Sequence, residues 1–104
     1  MHLGEFKQIL EQSKLPVAYS HFKTSQELPY IIYFVTDNED LLADNRNYYD
    51  FINIAVELYS DDKDPSLEMK LQKLFAENEI VYRKSETVIQ DENMYEVIYE
   101  IKLY

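Results

Sequence analysis

The sequence predicts an α+β domain: a mixed β-sheet of about five strands with two helices packed on one face, in the order α-β-β-β-α-β-β. Three observations carry this reading. From Phe51 to Tyr59, Ile52, Ile54, Val56 and Leu58 fall on one side at period two, against Phe51, Asn53, Ala55, Glu57 and Tyr59. From Pro65 to about Asn78, Leu67, Leu71, Leu74 and Phe75 recur at helical spacing, with Glu68, Lys70, Gln72, Lys73 and Glu77 on the side expected to face water. From Met94 to Tyr104 the alternation returns, with Tyr95, Val97, Tyr99, Ile101 and Leu103 inward and Glu96, Glu100 and Lys102 outward. A chain of 104 residues is one domain's worth, so residues 1–104 are read as a single unit.

Taken in order, residues 2–13 read as a short amphipathic helix, because Leu3, Phe6, Ile9 and Leu10 repeat every three or four positions. Pro16 ends it, since the residue before a proline is pushed away from helical angles. Val17–Phe22 alternates as a strand, and Lys23–Glu27 is a polar link. Pro29 then opens a second strand, Tyr30–Val35, whose run YIIYFV is apolar on both sides and predicts cover on both faces. Thr36–Tyr49 is irregular and long for a hairpin connection, which marks it as a candidate functional loop.

After the central strand, Asp64-Pro65 starts the second helix. Aspartate accepts from a first-turn N–H, and proline there leaves no N–H orphaned. With Gly4 as the sole glycine, Asn78 is the expected left-handed cap at its end. Ile80–Glu86 forms the fourth strand, with Ile80 and Tyr82 on its core side, and Thr87–Asn93 turns it into the last. The second helix is long enough for a crossover, and the outer strand pairs read as hairpins. Ile98, with Phe51, Ala55 and Tyr59, is expected to form a semi-apolar patch on the back of the sheet.

Charge narrows function more than motif does. The net charge is −10, and between Thr36 and Asp64 nine acids stand against Arg46 and Lys63. Such a field repels phosphate, which argues against sequence-specific nucleic-acid binding and an anionic-membrane role. Ten tyrosines suit a surface that is wet in the monomer and covered in an assembly, although tyrosine is also a favourable strand residue. Cysteine is absent, so disulfides and thiolate metal sites are excluded. The segment MHLGEFKQIL lacks the basic start and apolar run of a signal peptide, and no apolar run approaches the ~20 residues that span a bilayer. A protein made in the cytoplasm is expected.

No chemical constellation rises to a site. His2 and His21 have no partner at ligand spacing. The run from Asp37 to Asp40 lacks the glycine and the terminal glutamate of a calcium loop, and Asp61, Asp62 and Asp64 read as a solvated turn with a helix cap. One glycine cannot build a phosphate cradle, and no serine stands in a nucleophile elbow. No catalytic, metal or cofactor residue is expected, and the protein is read as a non-enzyme.

The segments LPVAYSHF (15–22), LPYIIYF (28–34), NIAVELYSDDKDPSLE (53–68) and YEVIYEIKLY (95–104) carry a resemblance. They look like a family of small head–tail structural proteins of siphophages and prophages of Gram-positive bacteria. The likeness runs from Leu15 to the end, and its most specific part is ELYSDDKDPSLE. It implies a tail-terminator or tail-completion (neck) protein that forms a ring, commonly of six, on the last ring of the tail tube. Its implied partners are further copies of itself, the major tail tube protein and the head connector or neck protein, with no cofactor. The implied location is the host cytoplasm during assembly and then the head–tail junction of the virion. Leu41 and Leu42 either tuck back under their own loop as a satellite cluster or form an arm; in such a ring they, with Tyr48 and Tyr49, would be the contact with a neighbouring subunit or the tube. Asp37, Glu39, Asp40 and Asp44 are the expected lining of the lumen, where carboxylates would repel passing DNA. A different class is also compatible with an acidic, cysteine-free chain: a DNA mimic that presents carboxylates to a basic host protein.

Overall fold

The structure, a computed structural model, describes residues 1–37 and 51–103, with nothing stated of the side chains of Asp37 and Asp91. The elements are α1 (Leu3–Glu11), β1 (Val17–Tyr19), β2 (Tyr30–Asp37), β3 (Ile52–Ser60), α2 (Pro65–Glu77), β4 (Tyr82–Ile89) and β5 (Met94–Leu103), with a 3-10 turn at Gln90–Glu92. The strands form one mixed sheet in the order β1-β2-β3-β5-β4. The α+β class and the α-β-β-β-α-β-β order are those the sequence predicts.

The central strand works as its periodicity requires. Ile54 pairs with Ile101, Val56 with Tyr99 and Leu58 with Val97 across β3 and β5, while Ile31 and Tyr33 of β2 face Leu58 and Val56. These residues form one core with Phe6, Ile9 and Leu10 of α1 and Leu71, Leu74 and Phe75 of α2. Both helices therefore lie on the same face. Ile52 and Leu67, also expected in the core, are partly buried against it. Aromatic rings join the layers: Phe75 stacks near-parallel to Phe6 at 6.3 Å and meets Tyr99 edge-on at 5.4 Å. Burial of such side chains stabilises by about 1.5–3 kcal/mol each.

Caps fix where the helices begin. The Asp64 carboxylate accepts from Leu67 N–H at 3.3 Å ahead of Pro65, as its position predicts. His2 caps α1 reciprocally: Glu5 N–H donates to His2 Nδ1 at 3.3 Å and His2 N–H to Glu5 Oε1 at 3.2 Å. The far end of α2 differs from expectation. Asn78 keeps φ at −107° and donates from its side-chain amide to Leu74 O at 2.8 Å, while Glu79 takes the left-handed turn with φ 56°. The asparagine thus caps through its side chain, and the next residue reverses the backbone.

One topological expectation is corrected. β4 and β5 are antiparallel neighbours as expected, but β1 and β2 run parallel, with Val17 opposite Ile31 and Tyr19 opposite Tyr33. Ser20 adopts φ 69° and ends β1 three residues before Phe22, where the sequence had extended it. The link between Tyr19 and Tyr30 then carries the chain back to the same end of the sheet, close to the length a parallel return requires. Ser20 N–H still donates to Tyr33 O at 2.8 Å, so the departing strand stays anchored.

Candidate functional site

Strand alternation sends a second set of side chains to the sheet face opposite the helices. β2 contributes Tyr30, Ile32 and Phe34, β3 contributes Ala55, Glu57 and Tyr59, and β5 contributes Glu96, Ile98 and Glu100. Among the described residues neither helix covers this face, and most of these side chains are half-buried. The patch expected from Ala55, Tyr59 and Ile98 is here, widened by β2.

At its centre two acids meet. Tyr59 lies opposite Glu96 and Glu57 opposite Ile98, so the two glutamates are diagonal neighbours on adjacent strands. The Tyr59 hydroxyl donates to Glu57 Oε1 at 3.0 Å. Glu96 is 8% exposed, unusually low for a glutamate outside the main core. Burial raises the Glu57 pKa, the Tyr59 hydroxyl opposes the rise, and the neighbouring Glu96 carboxyl adds to it. Burial and the same two carboxylates hold the Tyr59 phenol well above its ordinary value. An aromatic row leads outward from the pair: Tyr59 to Tyr30 at 5.2 Å, and Tyr30 edge-on to Phe22 at 5.3 Å.

The other end of the same face is a groove of about 800 Å³, lined by Thr36, Asn53, Ala55, Arg83, Ile98 and Lys102 among others. Here bases join the acids: Arg83 and Lys102 flank Glu100, and Glu79 also lines the groove. One end of this face is acidic and the other carries both signs of charge.

Between α2 and the edge strand a set of ionised groups is paired. Glu68 of α2, 3% exposed, is held through Oε1 by Lys63 Nζ at 2.9 Å and Lys84 Nζ at 2.6 Å, while its Oε2 is buried without a hydrogen-bond partner. Lys63 also bonds Glu86, and the Tyr95 hydroxyl donates to Glu86 at 2.8 Å. Lys63 first and Tyr95 second hold the Glu86 carboxyl below its usual range. This network ties the turn, α2 and the edge strand β4 together; its logic is structural.

Leu41, Leu42, Tyr48, Tyr49, Glu39, Asp40 and Asp44 lie outside the described residues, as does the side chain of Asp37. His21 is exposed beside the Ser20 hydroxyl at 3.3 Å, and His2 serves its helix cap. The acidic turn behaves as solvated turn and cap: the Ser60 hydroxyl donates to Asp62 O at 2.6 Å and Asp62 Oδ1 accepts from Lys63 N–H at 2.8 Å. Among the described residues no group of three or more His, Asp or Glu is placed to hold a metal, and no helix is long and apolar enough to cross a membrane. The Glu57–Glu96 pair went unremarked in the sequence because both merely alternate outward; their meeting depends on β3 and β5 being neighbours.

No protein-family model, curated protein or solved structure matches the chain.

Proposed function

We propose that the protein is a ring-forming structural subunit of a phage or prophage head–tail junction, a tail terminator or tail-completion protein. The observation that carries this reading is the two-sidedness of the subunit. One side is a helix layer whose buried Glu68 is neutralised by Lys63 and Lys84 and whose outer lysines, Lys70 and Lys73, are exposed. The other is a sheet face bearing aromatics and two acids with no cationic partner among the described residues. A ring closes only when one surface of a subunit complements a different surface of the next, and this subunit has two such unlike surfaces. The likeness of ELYSDDKDPSLE and the flanking strands to head–tail proteins gives the assembly its setting. The role is structural and needs no catalytic residue or cofactor.

In this reading Leu41 and Leu42 anchor the contact with the tail tube, and the acids around them border the DNA path. The test is capping of purified tail tubes, seen by electron microscopy as an annular density at one tip. Replacing Leu41 and Leu42 together by serine should leave the isolated fold nearly as stable and abolish capping. Wild-type protein that ignores assembled tubes, yet binds a basic nuclease or repressor tightly in low salt, would overturn the proposal in favour of a DNA mimic.

A further inference from the structure

We propose that the open sheet face receives the outer face of α2 from a second copy of this chain, with Lys70 and Lys73 seated against Glu57 and Glu96. The inference rests on the reading of the protein as a self-assembling subunit and assigns the surfaces that meet.

The occupant follows from charge and shape. The residues of α2 that face solvent are Pro65, Ser66, Met69, Lys70, Lys73, Ala76 and Glu77, a single stripe at helical spacing. Met69 is 67% exposed, a large apolar side chain with no cover in the monomer. Lys70 and Lys73 sit beside it, and no hydrogen bond or ion pair ties either ammonium down within the described residues. The stripe is therefore apolar and basic, with small residues at Ser66 and Ala76 that allow close approach.

The sheet face is the complement: apolar at Ile32, Ala55 and Ile98, acidic at Glu57 and Glu96. Among the described residues neither carboxylate has a cationic partner within ion-pair distance. The match extends along the axis. From the midpoint of Lys70 and Lys73 to Glu77 the helix advances about 8 Å. From the acid pair to the Arg83–Glu100 row the sheet advances about 10 Å. With α2 lying along the direction of β5, the two lysines cover the two acids while Glu77 reaches Arg83 and Lys102. The long lysine stems span the cross-strand diagonal between Glu57 and Glu96, and Met69 lies on the aliphatic part of the face.

Such a contact is head-to-tail: the helix side of each copy covers the sheet side of the next. It gives the sheet the second layer that its half-buried aromatics lack, and it propagates into a ring or an open array according to the rotation between copies. One junction is a single helix on a single sheet face, so a weak, salt-sensitive association in free solution is expected, strengthened when a ring closes.

Because the chain contains no cysteine, disulfide trapping gives an unambiguous readout. Glu57→Cys and Lys73→Cys proteins, mixed under mild oxidation, should form the mixed dimer in preference to either homodimer. Predominant Glu57→Cys homodimer would overturn the proposal in favour of a symmetric face-to-face stack, and absence of the mixed dimer would overturn it outright. In parallel, K70E/K73E, which alters only exposed helix positions, should weaken self-association about tenfold or more by sedimentation at low salt. Mixing it with E57K/E96K, or combining all four changes in one chain, should restore association. Should E57K/E96K fail to fold, the trapping experiment and K70E/K73E alone decide. An unchanged association constant in K70E/K73E would also defeat the assignment. These measurements use tube-free solution, so they can fail while tail capping succeeds, and capping can fail while they succeed.

Discussion

Glu68 offers the sharpest test of how the helix layer is fastened to the edge strand. Changing Glu68→Ala removes a carboxylate that is 3% exposed and leaves Lys84, whose side chain is 31% exposed, without its partner at 2.6 Å. Lys63 keeps Glu86, so one of the two ammonium groups remains compensated. Breaking a fully buried ion pair costs about 3–5 kcal/mol. Partial exposure of the lysines screens the loss, so a destabilisation of about 2 kcal/mol is expected. For a domain of this size that lowers Tm by about 8–15 °C. Urea denaturation should show a reduced midpoint at constant slope. The unpartnered Oε2 makes a second forecast. E68M/K84M removes the orphan oxygen and the stranded cation together, and should recover most of the loss. A Glu68→Ala protein within about 0.5 kcal/mol of the original would refute the view that this network holds α2 to β4.

Truncating Leu71 or Leu74 to alanine, at 1% and 9% exposure, should cost about 2–5 kcal/mol in urea melts, because both sit under the sheet centre. The Glu57 carboxyl, raised above 4.5 by burial and then by Glu96, binds its proton more tightly folded than unfolded. Its contribution to stability is therefore full below the unfolded pKa and is lost as pH rises through the folded one. Glu57→Gln should remove that fall, measured as stability across the mildly acidic range, and an unchanged profile would mean that neither burial nor Glu96 raises the Glu57 carboxyl.

What could be read in the sequence was whatever depends on period and local chemistry. The two-residue alternation of β3 and β5 placed Ile54, Val56, Leu58, Val97, Tyr99 and Ile101 in the core, because a strand has only two faces and one of these was wholly aliphatic or aromatic. Asp64-Pro65 located the start of α2 because cap chemistry is local. The orientation of β1 was not legible. Ten residues between strands can form a loose hairpin or a parallel return, and the left-handed turn at Ser20 carries no glycine or asparagine to announce it. The Asn78 cap was misplaced by one residue for a related reason: asparagine satisfies a helix end equally through its side chain or through a left-handed backbone. The acid pair lay beyond local reading altogether, since Glu57 and Glu96 are separated by a helix and a strand before the sheet order joins them.

The two buried glutamates of this fold have opposite settings, and the difference points to where each is completed. Glu68 sits on the helix side with two lysines on one oxygen, so its burial is compensated inside the subunit. Glu96 sits on the open side, and among the described residues its titratable neighbours there are the Glu57 carboxyl and the neutral Tyr59 hydroxyl, neither of them a base. Two carboxyls placed side by side in a partly desolvated patch are a cost to the folded monomer, because burial and the Glu96 charge both disfavour the ionised form of Glu57. The sheet would be better served by threonine or valine at either position, both favourable strand residues without charge. In the proposed contact that cost would be offset, as a cation arrived between the carboxyls and water left the aromatic row beside them. The same face carries Tyr30, Tyr59 and Ile98 half-buried, so apolar area and charge would be completed by one event. The outer stripe of α2, with exposed Met69 beside Lys70 and Lys73, has the composition that event requires.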